Sequence, residues 1–375
     1  MHSRTIDRRA LLKLGSAAVA SIAYPGCRAT RSAQAPIPRA SNLILPRVRV
    51  ANDRVIRNVA GLRPYRASGF TLRPERMGEK LIIHNYGHGG CGITLCWGTA
   101  KLALDIALGQ SQRKAAVLGC GVVGLATARL LQDHGFEVTI YTRDLPPNTT
   151  SNIAGGLWGP FTIADEDRRT SAFDAQLAQS ARFAHRYFQS MVGERYGIRW
   201  LPLFFLSDEP GFESPWPWTL TPELYRIKTL AKGEHPFSQN GVVEVYLMLI
   251  EPAIYLPAVL ADFRIAGGQV VIRDFQDINS VLQLKEPVIA NCTGLGAKTL
   301  FGDEELIPIK GQLSFLVPQP ELNYMYIGGG GYMFPRRDGV LLGGTHELGV
   351  STLEPDDTVI SNMIAGHKRI SDGMK

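Results

Sequence analysis

Ala115-Ala116-Val117-Leu118-Gly119-Cys120-Gly121-Val122-Val123-Gly124, continuing through Leu125 to Tyr141, reads as one β-α-β unit. Ala115 to Leu118 is an unbroken apolar run, the pattern of a strand buried on both faces. Gly121 to His134 is helical, and Gly135 is placed to end that helix. Phe136 to Tyr141 is a second strand. The three glycines fall between strand and helix, the context that lifts a G-x-G-x-x-G spacing above chance. Gly119 allows the tight turn, Gly121 lets the backbone approach a pyrophosphate, and Gly124 lets helix and strand pack closely. The helix N-terminus adds free N–H groups and the positive end of its dipole. The stretch predicts a dinucleotide-binding Rossmann-like domain with Gly119, Gly121, Val122, Val123 and Gly124 at the phosphates. At the end of the second strand, Asp144 could bind ribose hydroxyls, one residue late, whereas Arg143 would suit a 2′-phosphate. The glycine motif does not choose between them.

Upstream, residues 109–114 form a short polar connection behind a helix expected over about 94–108. That helix follows a glycine cluster, Gly87-His88-Gly89-Gly90-Cys91-Gly92, which follows a strand at Leu81-Ile82-Ile83. Residues 47–83 read as short β-like runs broken by Gly and Pro. Downstream, residues 166–192 carry apolar positions at helical spacing (Phe173, Leu177, Ala181, Ala184, Phe188, Met191). A helix over about 254–265 ends at Gly267-Gly268 and leads into a strand at 269–273. Val288 to Cys292 is another strand, antiparallel β signals continue to about Gly349, and Pro355 opens a last helix. The fold class is α/β (α+β).

The chain has 375 residues and a formal charge of +6. Arg4, Arg8, Arg9 and Lys13 against Asp7 carry half of that charge. What remains is too mild for a nucleic-acid partner, and no basic stripe with interleaved aromatics appears. No apolar run reaches the ~18 residues that suggest a membrane span. Arg8-Arg9 followed by an apolar stretch from Leu14 to Ala23 reads as a twin-arginine export signal over 1–27, hence a periplasmic location. Cys27 follows Tyr24-Pro25-Gly26, a poor match to a lipidation site, and leaves a lipid anchor open. Residues 28–45, rich in Ser, Pro, Ala and Arg, read as a linker. Cys91, Cys96, Cys120 and Cys292 sit in apolar or Gly-rich contexts and read as buried small side chains. A Cys91–Cys96 disulfide stays open. His84 and His88 stand four apart in a strand-to-loop segment with no third ligand, so no metal site is expected.

Several segments resemble the D-amino-acid oxidase family. They are Thr149-Thr150-Ser151 with Ala154-Gly155-Gly156-Leu157-Trp158-Gly159-Pro160-Phe161, Asn291-Cys292-Thr293-Gly294, Lys310-Gly311-Gln312, Tyr332-Met333-Phe334-Pro335 and Leu342-Gly343-Gly344-Thr345. His84-Asn85-Tyr86-Gly87-His88-Gly89-Gly90-Cys91-Gly92-Ile93-Thr94, preceded by Gly61-Leu62-Arg63-Pro64, is the fullest match. In the family that segment lies near the C-terminus, and here it precedes the glycine motif. The order therefore reads as circularly permuted, which is tolerated when termini lie close together at the surface.

The resemblance implies an FAD enzyme that oxidises a D-amino acid with O2, giving an imino acid, then a 2-oxo acid and ammonia, with H2O2. A dehydrogenase of the same fold that passes electrons to a quinone, and a non-catalytic exported flavin-fold protein, are the alternatives. FAD would be held by Gly119, Gly121, Val122, Val123 and Gly124, by Arg143 and Asp144, and by Thr149, Thr150 and Ser151. Gly156, Leu157 and Thr293 would join them, with Gly89, Gly90, Gly92, Ile93 and Thr94 along the flavin. Arg63 would bind the substrate carboxylate, Tyr332 would touch it, and the Gly90 carbonyl would accept from the amine. The position four before Tyr332, often a second tyrosine in the family, is Gly328, within four successive glycines. An FAD-binding domain (about 80–165 and 255–300) would interleave with an antiparallel-sheet substrate domain (about 46–79, 166–254 and 301–350). The partner is a small amino acid, and a homodimer stays open.

Overall fold

The computed structural model describes residues 43–209 and 217–375. The export signal, Cys27 and the linker up to residue 42 lie outside the described residues. Among those residues the strands form two sheets.

The nine-stranded sheet contains β1 (Val55–Tyr65), β6 (Ile198–Ser207), β7 (Ile227–Leu230), β8 (Gly241–Ile250), β11 (Ile307–Leu316), β12 (Met325–Gly328), β13 (Gly331–Arg336), β14 (Gly339–Gly343) and β15 (Glu347–Leu348). Its order is β1-β11-β14-β13-β12-β6-β8-β7, with β15 paired to β11. Every pair is antiparallel except β12 with β6. The six-stranded sheet contains β2 (Thr71–Met77), β3 (Lys80–Tyr86), β4 (Lys114–Leu118), β5 (Glu137–Thr142), β9 (Gln269–Ile272) and β10 (Val288–Asn291), in the order β2-β3-β10-β4-β5-β9. It is parallel from β3 to β9, and β2 runs antiparallel at its edge.

The parallel strands bury both faces, which is why β4 and β10 read as continuous apolar runs. One face carries α1 (Gly92–Leu108) and α2 (Val122–Asp133), backed by α3 (Ser171–Gln189) and α4 (Pro252–Ile265). The other face is closed by Val281 and Leu284 against Ile82, Ala116 and Ile289. At Gly98 a Cβ would stand 2.0 Å from the Ser180 carbonyl oxygen, so α1 and α3 meet backbone to backbone there. The nine-stranded sheet is covered by α5 (Asp357–Asp372), whose Ile360, Ile364 and Ile370 join Tyr326, Met333 and Leu342 in a second core.

Several expectations shift. Residues 47–83 are not short runs throughout, because β1 alone is eleven residues long, zipped against β11 from Val55 to Tyr65. The helix expected over 166–192 becomes a 3-10 turn at Glu166–Arg168 followed by α3, which starts where the Thr170 hydroxyl accepts from Phe173 N–H at 3.1 Å. α1 begins at Gly92, two residues early. β2, placed above with the substrate part, pairs with β3 in the six-stranded sheet, and α3, placed there too, packs on α1. The helix after Pro355 forms, with the Asp356 carboxylate accepting from Thr358 and Val359 N–H at 2.8 and 3.0 Å. Cys91, Cys96, Cys120 and Cys292 are free, buried thiols. No helix among the described residues is long and apolar enough to cross a membrane.

Candidate active site

A cavity of ≈ 1560 Å³ runs from the ends of the parallel strands to the face of the nine-stranded sheet. That exceeds the roughly 300–1,000 Å³ of ordinary small-ligand pockets. It has room for a dinucleotide and a substrate together. Strand order turns back between β4 and β10, and open parallel sheets bind ligands at such a switch point. Gly119 follows β4 and Cys292-Thr293-Gly294 follow β10, and all four line the cavity.

The local chain is shaped for close approach. Gly119 has φ +100°, and a Cβ there would lie 2.6 Å from the Cys292 carbonyl oxygen. A Cβ on Gly124 would lie 2.0 Å from the Gly119 carbonyl oxygen. Gly124 therefore packs helix on turn and does not line the cavity, whereas Gly119, Gly121, Val122 and Val123 do. Gly121 is the N-cap of α2 and brings no side chain to it; Val122 N–H donates to the Ser151 hydroxyl at 3.0 Å. Thr149, Thr150 and Ser151 open the one-turn helix Thr150–Ile153 on the same wall, with Gly156 and Leu157 beyond it. Arg143 Nε donates to Asp144 Oδ2 at 2.7 Å, and both residues line this end. Arg273, Asp274, Phe275 and Gln276 join them, unforeseen in the sequence reading. β9 runs parallel to β5, and Arg273 N–H donates to the Thr142 carbonyl at 2.9 Å, which sets the two strand ends side by side. The strand expected at 269–273 was the available signal.

At the other end, Gly89, Gly90, Gly92 and Ile93 line the cavity. A Cβ on Gly89 or Gly90 would stand 2.5 Å from Thr162, so the 159–165 loop lies directly on this turn. Thr94 does not line the cavity. Its buried hydroxyl takes Gly159 N–H at 3.1 Å and meets the Gly159 carbonyl at 3.2 Å, tying α1 to that loop. His84 and His88 have structural partners: Glu75 at 3.0 Å and Asn291 at 3.1 Å for His84, Thr99 at 3.0 Å for His88.

Arg63 sits beside this turn. Its Nη1 donates to the Thr345 carbonyl at 2.9 Å. A Cβ on Gly311 would lie 2.4 Å from Nη2, so the guanidinium crosses β11 only because residue 311 has no side chain. Tyr332 lies alongside, its ring stacked on Phe334 with centroids 4.6 Å apart. Burial raises the Tyr332 phenol above its ordinary pKa, and the adjoining Arg63 charge opposes that. Thr345 and His346, also unforeseen as site residues, complete the wall. The Gly343–Thr345 run was visible only through the resemblance.

The residues fit FAD. Bare glycine backbone lies at the strand-order switch, a helix N-terminus faces it, and the cavity continues to a guanidinium. Fold and site together define a dinucleotide-dependent oxidoreductase. Residues 114–370 match the family model described as FAD dependent oxidoreductase, and the chain belongs to that family. Its cofactor is FAD. The chain is 27% identical over 273 residues to the D-amino acid oxidase of Dugesia ryukyuensis, covering 69% of this chain and 78% of that protein. It is 29% identical over 248 residues to the D-aspartate oxidase of Homo sapiens, covering 64% and 71%. In fold it is similar to the glycine oxidase of Bacillus cereus (TM-score 0.52, 15% identity, covering 68% of this chain and 77% of that one).

Proposed function

We propose that the enzyme oxidises the C–N bond of D-amino acids, with O2 taking the electrons and H2O2 released. The observation that carries this is the Arg63 guanidinium, fixed by the Thr345 carbonyl and admitted by Gly311 at the glycine-walled end of the cavity. A planar guanidinium pairs with a carboxylate through two parallel hydrogen bonds. Tyr332 adds a hydroxyl donor beside it. The Gly90 carbonyl accepts from the substrate amine, which orients the α-carbon. Bound FAD supplies the acceptor for the hydride that leaves that carbon. The ammonium proton leaves to water as the C=N bond forms, and hydrolysis of the imino acid gives a 2-oxo acid and ammonia. Such a transfer depends on orientation more than on a side-chain base. The names of the similar oxidases support the D-amino acid assignment.

The test is anaerobic. D-amino acids should bleach the oxidised flavin band of the purified holoenzyme, and L-amino acids, glycine and sarcosine should not. A flavin that no D-amino acid bleaches would overturn the assignment. Counting H2O2 against reduction of an artificial acceptor separates oxidase from dehydrogenase.

We also propose that the segment order is rotated relative to the family. The match to the family begins at Lys114, the first residue of β4, yet β1 to β3 precede it and pair within the two sheets, and α1 packs on α2. The Ser371 hydroxyl donates to the Val48 carbonyl at 2.5 Å, and the Tyr324 hydroxyl to the Pro46 carbonyl at 2.8 Å. A gene that joins residue 375 to residue 46 and opens the chain between 108 and 114 should give a folded, FAD-loaded protein. The twin-arginine pattern supports export to the periplasm, read by fractionating cells with Arg8 and Arg9 replaced by lysine.

A further inference from the structure

Arg63, Tyr332 and Gly90 account for the groups on the α-carbon of an amino acid and leave its side chain unassigned. The wall around the substrate end is largely apolar. Phe161 and Phe205 line it, edge to face with centroids 5.8 Å apart, and Ile327 joins them. Its polar side chains include Thr162 and His346. His346 follows Thr345, whose carbonyl accepts from Arg63 Nη1 at 2.9 Å, so the imidazole stands next in the chain to the group that fixes the guanidinium. Among the described residues no hydrogen bond or salt bridge engages the His346 ring. The neighbouring carboxylates are committed. Asp165 accepts from the Tyr65 hydroxyl, and Glu347 accepts from Thr345 Oγ1 at 2.5 Å and Gln312 Nε2 at 2.8 Å.

We propose that His346 contacts the substrate side chain and selects one that ends in a carboxylate. This rests on the amino-acid reading above and goes on to name the side-chain class. Once the α-carboxylate occupies Arg63, the imidazole remains on this wall as a donor without a protein partner among the described residues, pulled toward its charged form only by the more distant Asp165 carboxylate. Burial and the Arg63 charge hold the ring below its ordinary pKa in the free enzyme. A substrate offsets the second cause with its α-carboxylate and favours the imidazolium with its side-chain carboxylate. An apolar side chain gains nothing from the ring. A charge-assisted hydrogen bond distinguishes carboxylate from amide by about tenfold to a hundredfold.

The experiment uses holoenzyme and the ratio of kcat/KM for D-aspartate to that for its neutral isostere D-asparagine. The ratio should exceed ~10 in the parent enzyme. It should fall toward 1 in His346→Leu and recover in His346→Arg, with flavin content read from the visible spectrum in each. A parent ratio near or below 1, with D-asparagine oxidised, overturns this inference and leaves the amino-acid reading standing. A ratio that His346→Leu leaves unmoved does the same. A flavin that neither amino acid, nor any other D-amino acid, reduces overturns the reading beneath it.

Discussion

The two ends of the cavity are built by opposite means. The end beside the glycine motif comes mostly from one continuous stretch, residues 114 to 157, in which strand, turn, helix and strand follow without a long detour. The substrate end joins residues that are far apart in the chain. Arg63 meets the Thr345 carbonyl across 282 positions. It crosses Gly311 because β1 and β11 pair with Gly61 opposite Gly311 and Arg63 opposite Ile309. Tyr332 arrives from β13, paired with Gly343 of β14. A locally encoded site tolerates rearrangement elsewhere, whereas a site assembled by register depends on each strand pairing that carries it.

That contrast can be broken from either side. Gly119→Val should have the largest effect. The residue needs φ +100°, and its Cβ would meet the Cys292 carbonyl oxygen at 2.6 Å. Flavin should be lost outright, leaving colourless protein with no activity at any substrate concentration; a yellow, active variant would refute the local account. Gly311→Ala comes next. The new methyl would lie 2.4 Å from Arg63 Nη2, with no direct contact to the nucleotide end. FAD should stay bound while kcat/KM falls by ~100-fold, about 3 kcal/mol of lost carboxylate binding. Loss of flavin in that variant would mean the two ends are coupled. Tyr332→Phe removes one hydroxyl and keeps the ring stack on Phe334, so kcat/KM should fall about tenfold, near the ~1.4 kcal/mol of one hydrogen bond.

The smallest effect at neutral pH distinguishes the halves by acid. His88, beneath the glycine turn, is held down to about 3 by burial. His367, on α5, is held down to about 4 by burial, with Tyr326 hydroxyl 3.0 Å from its ring. Both are neutral when folded, and the unfolded chain takes their protons near pH 6.5. Stability is therefore intact above that value and falls as pH drops through it, by up to about 1.4 kcal/mol per pH unit for each ring. The loss levels off near the folded values. Denaturant midpoints measured from pH 7 to pH 4 should slope less in His367→Phe than in the parent. An unchanged slope would remove α5 from the acid response.

What the sequence made legible follows the same division. The β-α-β unit was readable because strand period, helix period and three glycines occur in one short window. The later strands at 269–273 and 288–292 and the helices near 254–265 and after Pro355 were readable from their own local patterns. Arg63, Tyr332 and Gly90 carried no local signal of their role and entered through resemblance. Gly124 has the close-packing role its spacing implied and stands off the cavity, whereas Thr94, expected along the flavin, braces the wall from behind, since facing direction depends on packing partners that spacing does not contain. Arg273 to Gln276 and His346 were overlooked for the related reason that each lines the cavity through a neighbouring strand.

The amino-acid sequence by itself determined a β-α-β unit with a glycine turn between its first strand and its helix, because that unit depends on contacts between near neighbours. Only the tertiary structure decided through which gap the Arg63 guanidinium reaches the cavity, and beside which imidazole. Those facts depend on pairing between strands hundreds of residues apart, and a shift of one residue in that register would turn Arg63 to the opposite face of its sheet.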